Sequence, residues 1–253
     1  MSDYNPFSLS GKKILVTGAS SGIGQATAIE CSRMGAQLVI TGRNAERLQE
    51  TYSKLEGEGH VQFAAELTEG ESLNGLIAQC QGLNGVALCA GREMTAPFPF
   101  CTRQKFDDVF DVNFFSPVEL LRLLVKGKRL LPGASVVIIA STGGTPGGGF
   151  TVANSIYGSS KAALVSMMKY CAKELAPKKI RVNTVNPAMT NTPLVKRFQE
   201  NLTAEQIQKD IDHYPLKRYG DPKDMAWGAI YLLSDASSWV TGHSLVIDGG
   251  VSI

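Results

Sequence analysis

The chain of 253 residues has no run of 18 apolar residues, which excludes a membrane-spanning helix. It has almost no charge excess, 25 basic against 23 acidic residues for a formal charge of +2. That removes the electrostatic footprint nucleic acid or an anionic membrane surface would require. Histidine is scarce, at three. The five cysteines, at 31, 80, 89, 101 and 171, form no C-x-x-C pair and keep no metal-site spacing to a histidine, so no metal is expected. An odd, scattered set of thiols fits packing in a reducing, cytoplasmic compartment and not a disulfide framework. The first nine residues, with Asp3, Asn5 and Pro6, lack the charged start and apolar core of an export signal. No shift of composition marks a linker, so residues 1–253 are read as a single domain.

What fills the chain is an alternation of short β-branched runs and helical stretches. Strands are expected at Lys13–Thr17, Gln37–Thr41, Val61–Ala64, Gly85–Cys89, Ser135–Ala140, Arg181–Val185 and Ser244–Asp248. This βαβ rhythm predicts a doubly wound α/β fold, a seven-stranded parallel sheet of Rossmann type with helices on both faces. Gly35 ends the first helix, and Asp221-Pro222 supplies an N-cap and first-turn proline for a late one. Two helical stretches, 106–125 and 162–175, are more apolar than one buried face requires. They predict self-association, taken as a homotetramer.

Directly after the first strand comes Thr17-Gly18-Ala19-Ser20-Ser21-Gly22-Ile23-Gly24, and the helical pattern starts at once. Glycines let a backbone turn sharply and approach a pyrophosphate, while the free N–H groups of a new helix face the anion. Gly18, Ser20, Ser21, Gly22, Ile23 and Gly24 are therefore candidate dinucleotide contacts. At the end of the second strand, where a carboxylate would bind the ribose 2′-hydroxyl of NAD, the chain reads Thr41-Gly42-Arg43. Arg43 suits a 2′-phosphate, which favours NADP(H) over NAD(H); a solvated loop arginine is the competing reading.

Tyr157 and Lys161, four apart at the start of a helix, share one face one turn apart. A cation within about 4–6 Å favours phenolate and is expected to bring the phenol towards the working range. Tyr219 and Lys223 repeat the spacing, but Pro222 between them leaves Tyr219 outside its helix. Two polar residues accompany the first pair. Ser141 follows the fifth strand and can bond a substrate oxygen, with Thr142 as the alternative hydroxyl. Asn113 sits in an apolar helical stretch, where it can hold a water against Lys161.

These motifs, in order and spacing across almost the whole chain, resemble those of the short-chain dehydrogenase/reductase family in its compact form. The loop Thr17 to Gly24 resembles that family's T-G-x-x-x-G-x-G, Asn113 its helix asparagine, and Tyr157 with Lys161 its Y-x-x-x-K. Asn186-Pro187 through Thr192 resembles its post-strand cofactor loop, and Thr241-Gly242 through Asp248-Gly249-Gly250 its chain ending. The resemblance implies a serine–tyrosine–lysine site assisted by asparagine. Tyr157 would move the proton of a carbonyl/alcohol oxygen, and Tyr157 and Lys161 would also contact the cofactor. Glu66 and Leu67 would lie near adenine, Ala90 and Gly91 along the adenosine side, and Pro187, Thr190 and Thr192 towards the nicotinamide and pyrophosphate.

The sequence departs from that pattern at four places. Leu88-Cys89-Ala90-Gly91 stands for N-N-A-G, Glu66 for the usual aspartate, and Ala188 for a glycine after Pro187. Ser141 precedes Tyr157 by 16 residues, three more than the commonest gap, with Gly143 to Gly149 absorbing the difference. The expected function is NADP(H)-dependent hydride transfer to or from a carbonyl/secondary alcohol, with a small-molecule or 3-oxoacyl thioester substrate. Competing readings are a polyol/sugar dehydrogenase and a non-catalytic NADP(H)-binding sensor. Residues 188–219, carrying Phe198, His213 and Tyr214, are the expected substrate lid.

Overall fold

Strands β1 (Lys13–Val16), β2 (Gln37–Gly42), β3 (Val61–Ala64), β4 (Leu83–Leu88), β5 (Leu130–Ile139), β6 (Arg181–Pro187) and β7 (Ser244–Ile247) pair in parallel as one sheet, in the order β3-β2-β1-β4-β5-β6-β7. The computed structural model describes residues 4–146, 148, 151–200 and 202–253, without the side chains of 194, 197 and 198. Gly147, Gly149 and the Phe198 side chain, named above from the sequence, lie outside the described residues. The chain walks outward from β1 to β3, then returns to place β4 on the other side of β1. That reversal opens a crevice at the carboxyl ends of β1 and β4, where ligands bind in open α/β sheets.

Side-chain alternation along the strands builds a core on each face. Leu15, Val86, Val136 and Ile138 pack with Leu76 of α3 (Gly70–Gln79), Leu120 and Leu124 of α5 (Ser116–Lys126), and Leu164 and Met168 of α6 (Ser155–Leu175). Their neighbours Ile14, Val16, Ala87 and Val137 point the other way. They meet Ala28 and Cys31 of α1 (Gly22–Arg33), Leu48 of α2 (Ala45–Tyr52), and Ala229 and Ile230 of α9 (Pro222–Leu233). Most of these side chains are wholly buried, and each full burial of a Leu or Ile contributes about 1.5–3 kcal/mol. The strand ends that carry the loops are therefore firmly held.

Two expectations are corrected. The fifth strand begins at Leu130, five residues before the β-branched run, because Leu83 of β4 pairs with Leu130 across a register shift. The apolar stretch 106–125 is not one regular helix. It divides into α4 (Arg103–Phe110), a π turn over Asp111–Phe115, and α5. Ser116 donates its hydroxyl to the Asp111 carbonyl at 2.6 Å, satisfying one group the wide turn displaces.

Between β6 and α9 the chain forms α7 (Pro193–Gln199) and α8 (Ala204–Asp212), the latter opened by a reciprocal Thr203–Gln206 cap. The Tyr219–Lys223 repeat is structural. Tyr219 lies before α9, buried edge-on against Tyr214, and donates its hydroxyl to Asp210 at 2.6 Å. His213 is exposed just beyond α8. Among the described residues there is no cluster of metal ligands, and no helix is long and apolar enough to cross a membrane.

Candidate active site

A cavity of about 760 Å³ opens at the sheet's switch point. One wall is the turn from β1 into α1. Gly18 (φ +64°) and Gly22 (φ +56°) hold the left-handed conformation that glycine alone adopts freely. A Cβ at Gly18 would lie 2.8 Å from the Ala90 amide nitrogen, and one at Gly24 would drive into the Gly18 carbonyl. The cradle is therefore as tight as backbone packing permits. Ser21, the N-cap of α1, makes no side-chain cap bond, so the helix start faces the cavity with its N–H groups and positive dipole end uncapped. A pyrophosphate fits this donor set.

The same cavity is lined by every residue read from the sequence as a cofactor contact. Besides Gly18, Ser20, Ser21, Gly22, Ile23 and Gly24, these are Arg43, Glu66, Leu67, Ala90, Gly91, Tyr157, Lys161, Pro187, Thr190 and Thr192. Thr17 ties two walls together, its hydroxyl accepting the Cys89 and Ala90 amides at 3.0 and 3.2 Å. Cys89, standing where the resemblance has asparagine, carries a thiol that burial pushes up to about 12, so it is protonated and inert at neutral pH. Arg43 pairs with Glu66 at 3.5 Å, both partly exposed. Arg47, which the sequence reading missed, also lines the cavity. Arg43 precedes the Asn44 N-cap of α2, so the four-residue separation is not a helical turn and no motif signals Arg47. Asn44 caps α2 through the Arg47 amide at 2.8 Å.

Ser141, Tyr157 and Lys161 meet at the other end. Lys161 is 3% exposed and donates to the Ile139 carbonyl at 2.9 Å, its nitrogen 5.7 Å from the Tyr157 ring centre. Burial pulls its ammonium down to about 8. The phenol does not follow the expectation of a lowered value. Burial, joined by the Glu93 carboxylate, pushes Tyr157 up to about 12, and a hydrogen bond with Ser141 opposes them only in part. Lys161, turned to a backbone carbonyl, contributes nothing resolvable to the phenol.

The Ser141 hydroxyl also accepts the Gly143 amide at 3.2 Å, whereas Thr142 is buried and does not line the cavity. The extra glycines fit a close approach. A Cβ at Gly144 would sit 2.7 Å from the backbone of Lys161 and Ala162.

Asn113 does not line the cavity. Wholly buried, it donates to Ser160 at 3.0 Å and to the Arg92 carbonyl at 2.9 Å, and accepts the Arg92 amide at 2.7 Å. Both amide protons are committed, so its side chain braces the loop after β4 where the sequence reading had it holding a water. Glu93, next in that loop, lines the cavity, as does Asn154, three residues before Tyr157. Neither belongs to a motif. Only their closeness to motif residues could have flagged them.

The family model for Enoyl-(Acyl carrier protein) reductase matches residues 18–252. The chain is 30% identical over 249 residues to a 3-oxoacyl-(acyl-carrier-protein) reductase of Rickettsia prowazekii, covering 96% of this chain and 98% of that protein. It is also 30% identical over 244 residues to the L-xylulose reductase of Mus musculus, covering 96% and 97%. Among solved structures, it resembles an NAD(P)-dependent gluconate 5-dehydrogenase of Beutenbergia cavernae with NADP bound at low occupancy. That match has a TM-score of 0.84 and 28% identity over 98% of this chain and 99% of the other.

Proposed function

Given that the chain belongs to the short-chain dehydrogenase/reductase family of NAD(P)-dependent oxidoreductases, we propose that Tyr157 carries the proton in interconverting a carbonyl and a secondary alcohol. The observation behind this reading is that Tyr157, Ser141 and Lys161 share one cavity with a tight glycine turn and the uncapped start of α1, a donor set suited to a pyrophosphate. The cradle, Arg43, Glu66, Leu67, Ala90 and Gly91 would hold the adenosine and pyrophosphate part of the cofactor, and Pro187, Thr190 and Thr192 the part towards the nicotinamide. When bound, the cofactor supplies or accepts the hydride.

The chain's own groups do the rest. A phenol pushed up to about 12 holds its proton at neutral pH, which suits donation to a carbonyl oxygen and hence the reductive direction. Ser141 can bond the same oxygen and orient it. Lys161, half-titrated near pH 8, adds positive charge beside the phenol as that proton leaves. Asn113 acts through the backbone it braces.

We read the cofactor as NADP(H), supported by Arg43 and Arg47, which both line the cavity just after β2 ends without a carboxylate. Met189, Thr190, Thr192 and Val195 on the cavity rim support 188–219 as a substrate lid. A cytoplasmic homotetramer is part of the same reading. Its support is that Phe115 and Tyr170, on the two helical stretches noted above, remain 56% and 69% exposed. Light scattering at micromolar concentration tests it, and a monomer would remove it.

For the substrate, the Rickettsia relative suggests a 3-oxoacyl thioester. The half-buried Glu93 carboxylate, which lines the cavity with Tyr157, favours the second reading, a hydroxylated substrate like that of the xylulose reductase. The decisive test follows NADPH oxidation against ketones, sugars and β-keto thioesters, for the wild type and Tyr157→Phe. Removing the hydroxyl is expected to lower turnover at least about a hundredfold with NADPH binding intact. Equal turnover by both proteins would reject Tyr157 as the proton carrier, and a wild type that binds NADPH but turns over nothing would favour a sensor.

A further inference from the structure

We propose that Glu93 determines specificity, selecting substrates with a hydrogen-bond donor, hydroxyl or ammonium, on the carbon next to the reacting one. The inference deepens the reading of Tyr157 as proton carrier and rests on it. Glu93 lines the cavity together with Ser141, Asn154 and Tyr157. Its backbone position is fixed from the preceding residue, because Asn113 grips the Arg92 amide and carbonyl at 2.7 and 2.9 Å. Three residues on, the Ala96 amide bonds the Ala153 carbonyl at 2.8 Å, joining this loop to the segment that leads into α6. The carboxylate is thus carried on a braced loop.

The side chain is half-buried and, among the described residues, has neither an ion-pair nor a hydrogen-bond partner. A partly desolvated carboxylate left unpaired is costly, and burial accordingly raises its pKa. Both it and Tyr157 line the one cavity, and its charge adds to the burial that raises the Tyr157 phenol. The cation nearest the phenol, Lys161, is committed to the Ile139 carbonyl. The missing partner is therefore best supplied by the ligand. A hydroxyl or ammonium donor completes the carboxylate, an apolar substituent leaves it bare, and an anionic one is repelled. A 3-oxoacyl thioester offers no donor on the adjacent carbon.

Four ketones of nearly equal size separate these cases: hydroxyacetone, aminoacetone, butanone and pyruvate. Wild-type kcat/KM with NADPH is expected to favour hydroxyacetone or aminoacetone over butanone by about tenfold or more, with pyruvate poorest. Which of the two leads identifies the donor. Glu93→Gln should depress aminoacetone more than hydroxyacetone, and Glu93→Leu should erase the preference of either over butanone. A ratio that survives in Glu93→Leu, or its absence in the wild type, overturns the proposal.

A second readout needs no turnover. With NADPH present, 1,2-propanediol or 1-amino-2-propanol should raise the wild-type Tm more than 2-butanol does, and Glu93→Leu should abolish the difference. Equal shifts overturn the proposal whatever the activity. If butanone is reduced but no donor preference appears, Glu93 fails while the Tyr157 reading stands. If nothing is reduced yet the Tm difference depends on Glu93, the selectivity stands and the catalytic reading fails.

Discussion

The side-chain amide of Asn113 closes on the backbone of Arg92 from both sides, accepting its N–H at 2.7 Å and donating to its carbonyl at 2.9 Å. The π turn carrying Asn113 and the loop leaving β4 are 21 residues apart in sequence, and this clasp joins them. Asn113→Ala would leave the Arg92 groups and the Ser160 hydroxyl without these partners. Burying unsatisfied polar groups costs about 1–3 kcal/mol each, part of it recoverable through water. The expected loss is roughly 2–4 kcal/mol in urea unfolding, with an m-value unchanged. A loss below about 0.5 kcal/mol would mean that the clasp contributes nothing to stability.

Arg43 and Glu66 form an ion pair at 3.5 Å in which both side chains are partly exposed. Such pairs are worth about 0–1 kcal/mol, so Arg43 can leave Glu66 for a phosphate at little cost. A charge-assisted contact with a 2′-phosphate is worth about 1.5–3 kcal/mol. Arg43→Ala should therefore lower kcat/KM for NADPH by roughly tenfold to a hundredfold, and that for NADH by less than about threefold. Steady-state kinetics with both cofactors decide the matter, and parallel losses would discard the NADP(H) assignment.

Much of this was legible because the signals are local. A β-branched run followed at once by Gly18, Gly22 and Gly24 and a helix dictates its own turn, and all seven expected strands are present in one sheet. What was not legible depends on contacts between distant segments. Lys161 is one turn from Tyr157 on α6, but its partner is the Ile139 carbonyl, 22 residues away on β5. Spacing could bring the ammonium near the phenol but could not show that burial would dominate both groups. Glu93 and Arg47 belong to no motif and reach the cavity only because the sheet brings β2 and β4 to its rim. The π turn around Asn113 was hidden because its sequence reads as an ordinary apolar helix.

Lys161, buried, and Tyr157, partly buried, should also be visible in the pH dependence of folding. Lys161 titrates near 8 when folded and near 10.5 when unfolded, so between these values the unfolded chain holds a proton the folded chain has released. Stability contributed by this group therefore rises with pH across that window, by roughly 3 kcal/mol at most. Tyr157 acts with the opposite sign. Its folded value of about 12 exceeds 10.0, so the folded chain keeps a proton the unfolded chain loses, and stability falls as pH climbs from about 10 to 12. Urea unfolding from pH 7.5 to 10 should show Lys161→Met gaining most over the wild type at the acid end, with the gap closing as pH rises. Thiols such as Cys31 and Cys89, whose pKa values folding also raises, titrate in both proteins and largely cancel in the difference. A gap constant across that range would mean that Lys161 keeps its ordinary basicity, and its burial would then have to be compensated by charge that the Ile139 carbonyl alone does not supply.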